Sequence, residues 1–143
     1  MSENNETETM NDTDDSNRRK EDFEEFVNEV KDESDRAAVI LGASKLDQLL
    51  GILLEAYLLP CPNMTDSLFS NNGLLGTFSS KIDLCYRLGI IDAQFSKSIH
   101  LTRRIRNTFA YEVCGAKLNN GSHKDCVKAL TSPFKDSKWR SFG

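Results

Sequence analysis

The 143-residue sequence predicts an all-α fold: a single bundle of about five helices with a long buried central helix. Three observations lead there. Apolar residues recur three and four positions apart in several segments, the period of a helix with one buried face. Residues that start or stop helices (Ser34, Thr77, Gly89, Asp92, Pro133) stand at the ends of those segments. No segment alternates apolar and polar residues between hairpin turns, as a half-buried strand would.

Phe23, Phe26, Val27 and Val30 form one apolar stripe with charged residues around it, which predicts a helix over 19–32. Ser34 or Asp35 can cap the next helix, over 34–58, because their side-chain oxygens accept first-turn amides. Its runs 37–41 and 46–59 are apolar on most sides, the mark of a central element, and Pro60 and Pro62 stop it. Residues 60–77 carry turn chemistry, including Asn71-Asn72-Gly73, with Leu68, Phe69, Leu74 and Leu75 as apolar anchors. Thr77 caps a third helix over 78–88, and Gly89 follows where a left-handed residue is wanted. A fourth begins after Asp92 and reaches about position 112, with Phe95, Ile99, Thr102, Ile105 and Phe109 on its apolar face. A fifth covers 123–130 and ends before Pro133.

The formal net charge of −4 is unevenly spread. Glu3, Glu6, Glu8, Asp12, Asp14 and Asp15 precede the first Lys or Arg, in a stretch whose only large apolar residues are Met1 and Met10. Such a stretch cannot bury enough apolar surface to offset its ordering entropy, so 1–18 reads as a disordered acidic tail. Without those six charges the remainder is mildly basic. The helical domain spans 19–132, and 133–143 reads as a basic C-terminal tail.

No run of apolar residues reads as a membrane span, and the acidic N-terminus is the opposite of a secretory signal. Cys61, Cys85, Cys114 and Cys126 stand at least 12 positions apart, without the close pairs of zinc sites, and only His100 and His123 could supplement them. Reduced thiols in the cytoplasm are expected, with neither metal nor cofactor. Phosphate-loop and nucleophile-elbow patterns do not occur in the sequence.

The informative segment is the fourth helix. His100, Arg103, Arg104, Asn107 and Tyr111 fall along one polar stripe. Arg106 lies between that stripe and the apolar face, where a partly buried guanidinium needs a carboxylate; Asp35, Asp47 and Asp83 are the candidates for a structural ion pair. Three arginines in four positions suit a phosphate, a carboxylate patch or an acidic partner helix, and equally a solvated basic face.

Four pieces resemble the mannitol operon repressor family: Glu33-Ser34-Asp35-Arg36-Ala37-Ala38, then Gly76-Thr77-Phe78-Ser79-Ser80-Lys81-Ile82-Asp83-Leu84, then Leu88-Gly89-Ile90-Ile91, and Arg104-Ile105-Arg106-Asn107-Thr108-Phe109-Ala110. They stand in the family's order, and the match covers about residues 23–130. The resemblance implies an all-helical regulator of transcription without an obvious DNA-reading element. The last piece is also similar to the motif of the broader HEPN group, helical bundles of bacterial toxin–antitoxin pairs and RNases. Arg106 and Asn107 match that motif, but Tyr111 stands where the RNases have His. Tyrosine, with an ordinary pKa of about 10, is poorly suited to proton transfer near neutrality.

These readings converge on a non-enzymatic module that binds another protein and regulates transcription through it. Direct DNA binding is disfavoured, because a near-neutral body supplies few phosphate contacts. The alternative is an immunity protein or antitoxin whose acidic tail covers the basic surface of a nuclease toxin. A HEPN-type RNase is the third reading, and a homodimer stays open.

Overall fold

The computed structural model describes residues 6–111, 118 and 121–135. Cys114 and the tail from 136 onward lie outside the described residues. The order is α1 (Glu6–Lys31), α2 (Asp35–Tyr57), α3 (Phe78–Arg87), α4 (Ala93–Tyr111) and α5 (Gly121–Lys135), with no strand among the described residues. The all-α expectation and the number of helices hold. The chain forms two compact units, Met1–Ser34 and Asp35–Gly143.

In the first unit α1 begins at Glu6, within the stretch whose composition reads as an acidic tail. Within it Asp15 bridges Arg18 and Arg19 one turn on, a pairing that needs no apolar burial. Phe26, Val27 and Val30 are half-buried, and Phe23 is exposed.

In the second unit α2 packs on α3 and α4, and α4 on α5. Ala43, Leu50 and Leu54 of α2 meet Phe78, Ile82 and Cys85 of α3 and Ile99 of α4 in one core. Burial pushes the Cys85 thiol upward in pKa, away from reactivity, whereas Cys61 is exposed. Only one side of α2 is buried; Leu41, Leu49, Ile52, Leu53 and Tyr57 remain exposed. By length and composition α2 could cross a membrane, which corrects the expectation that no stretch is so apolar. The two runs join into one helix, with Lys45 between them and Asp47 and Glu55 as the charges within the second. Asp47 is held by Lys81 of α3, as suits a helix packed against protein.

The caps are local chemistry. Thr77 Oγ1 accepts the Ser80 amide at 3.1 Å, and Asp92 Oδ1 accepts the Phe95 amide at 2.7 Å. Gly89 takes φ +73°, open to glycine at little cost, and lets the Ile90 amide turn back to Cys85 O at 2.9 Å. Asp92→Ala is expected to lower stability by about 1 kcal/mol, read as a lower urea midpoint with unchanged slope; Asp92→Ser should recover most of it.

The long connection holds itself together. Leu75 N–H donates to Leu68 O at 2.8 Å, and Leu68 N–H to Asp66 Oδ1 at 3.0 Å. A Cβ on Gly73 would collide with the Ser67 and Leu68 carbonyls, so the Asn71-Asn72-Gly73 turn needs its glycine. Of the expected anchors, Leu75 is buried and Phe69 packs against the core, while Leu68 and Leu74 face outward. α5 begins earlier and runs two residues past Pro133, correcting the expected stop. The missing N–H of Pro133 removes one rung from the final turns rather than ending them.

Candidate functional site

α4 is the element on which most candidate residues sit. Its inner side is fixed by Ile99, Ile105 and Phe109, all buried. Phe95, expected on that side, is exposed, and Thr102 is half-buried with its hydroxyl donating to Ser98 O at 3.1 Å. Phe109 also meets the His123 ring of α5, with centroids 4.4 Å apart. Rotating outward from this anchored side gives the placement of every polar residue.

The expected stripe divides in two. His100, Arg103 and Asn107 are half-buried along its margin. His100 Nε2 lies 2.9 Å from Asp83 Oδ1 of α3, which joins the two helices. Arg104 and Tyr111 are exposed, Tyr111 at 86%. Exposed Lys97 and Thr108 share their side, so the outward strip is Lys97, Arg104, Thr108 and Tyr111, at spacings of seven, four and three. Lys97 and Thr108 were missed in the sequence; counting positions from Phe109 would have found them.

The ion-pair candidates are rearranged. Asp47 pairs with Lys81 at 2.8 Å and Asp83 with His100, while Asp35 Oδ2 accepts the Leu118 amide at 3.1 Å. Among the described residues Arg106 has no carboxylate partner. Its Nε donates to Asn107 Oδ1 at 3.1 Å, and its guanidinium sits 5.7 Å from the centre of the Phe78 ring. An aromatic face does what a carboxylate was expected to do there: it attracts the cation without adding a second charge to desolvate. The nearby Arg103 is less satisfied, for its Nε is buried with no hydrogen-bond partner among the described residues. Arg106→Ala should therefore cost about 1 kcal/mol through the lost cation–π contact and packing. Arg103→Met should be neutral or stabilising, since it removes an unmet donor and keeps the stem. Urea midpoints of the two variants check the order.

Compared with protein-family models, curated proteins and solved structures, the chain matches none.

What this surface can do follows from its composition. Lys97 and Arg104 give positive charge, and Tyr111 adds a rigid amphipathic ring. Arginine and tyrosine are the residues that anchor protein interfaces. Arg106 and Tyr111 stand five positions apart, about 140° around the helix, so one chain does not aim both at one phosphate. His100, the histidine of α4, is tied to Asp83.

Proposed function

We propose that the protein is a non-enzymatic interaction module that binds an acidic surface of another protein through the outer strip of α4, and regulates transcription through that partner. The observation that carries the reading is the strip itself: Arg104 and Tyr111 exposed one above the other on a helix whose opposite side is locked in the core. The four segments that resemble mannitol operon repressors support the regulatory role. They supply the start of α2, the cap and first turns of α3, the turn before α4, and the C-terminal half of α4. The inward engagement of Arg106 with Phe78 and Asn107 favours binding over RNA cleavage, because that arginine is committed to the fold.

The test is quantitative capture from native cells with tagged wild type and with Arg104→Glu/Tyr111→Ala. The expected result is a transcriptional regulator retained by wild type and lost with the variant, which should melt as wild type does. A nuclease as the captured protein would move the assignment to immunity. Sequence-selective DNA binding below micromolar by the isolated chain, or RNA cleavage abolished by Arg106→Ala, would overturn the reading.

A further inference from the structure

We draw no further inference here: the strongest candidate, the apolar outer face of α2 on which Leu41, Leu49, Ile52, Leu53 and Tyr57 stay exposed, is an unpartnered surface, and nothing in the structure shows what covers it.

Discussion

Phe109→Ala is expected to cost about 3–5 kcal/mol, the usual range for truncating a fully buried phenylalanine. Phe109 has no exposure and is among the largest fully buried side chains. Its cost has two parts. The ring loses its burial, and the space left behind cannot collapse, because α4 is also held by Ile99 and Ile105 on the same side. The ring is in addition the α4 contact of His123, so its removal strips α5 of an aromatic neighbour. Total stability of such a domain is about 5–15 kcal/mol, and at this size, between the ranges for smaller and larger domains, each kcal/mol moves Tm by about 3–5 °C. A fall in Tm of about 10 °C or more is therefore expected. Phe109→Leu should retain more than half of the lost stability by filling much of the space. A Tm within a few degrees of wild type for Phe109→Ala would mean that the α4–α5 contact is not part of the cooperative unit.

Much of this was legible from residues whose chemistry is local. Thr77, Gly89 and Asp92 end or begin helices through bonds that reach only three or four positions, so their identity alone locates the ends. The apolar side of α4 was legible from its periodicity, apart from Phe95 at its first turn, which is exposed. The start of α1 was not, because the rule applied to 1–18 concerned apolar burial, whereas Asp15, Arg18 and Arg19 support the helix by charge.

The outer face of α2 and the partners of Arg103 and Arg106 depend on long-range packing. A helix that is apolar nearly all round does not say which side its neighbours cover. Ala43, Leu50 and Leu54 were covered here, and Ile52 was not. Likewise an arginine at the edge of an apolar face needs some partner, but sequence cannot choose between a carboxylate and the Phe78 ring, which is 28 positions away in the chain. Asp47, Asp83 and Asp35 were legible as carboxylates with structural work to do; what each would hold was not.

Asp47→Ala should be the most damaging change to a polar residue in the second unit. Lys81 Nζ lies 2.8 Å from Asp47 Oδ1, and the two side chains retain only 13% and 29% of their exposure. Removing the carboxylate leaves a largely buried ammonium with no counter-charge. Breaking a fully buried pair costs about 3–5 kcal/mol; the residual exposure of Asp47 lets water answer part of the charge, so about 2–3 kcal/mol is expected. The pair also ties α2 to α3, so the loss should appear as a lower urea midpoint and as faster amide exchange in both helices. The decisive comparison is the double change. Asp47→Leu with Lys81→Met removes both charges and keeps both volumes, and a buried pair replaced by packed apolar groups is usually neutral or better. Recovery to within about 1 kcal/mol of wild type would show that the cost of Asp47→Ala comes from the orphaned lysine. A double variant as unstable as Asp47→Ala alone would show instead that the ion pair itself positions α3, and that the cap at Thr77 and the core residue Ile82 cannot do so without it.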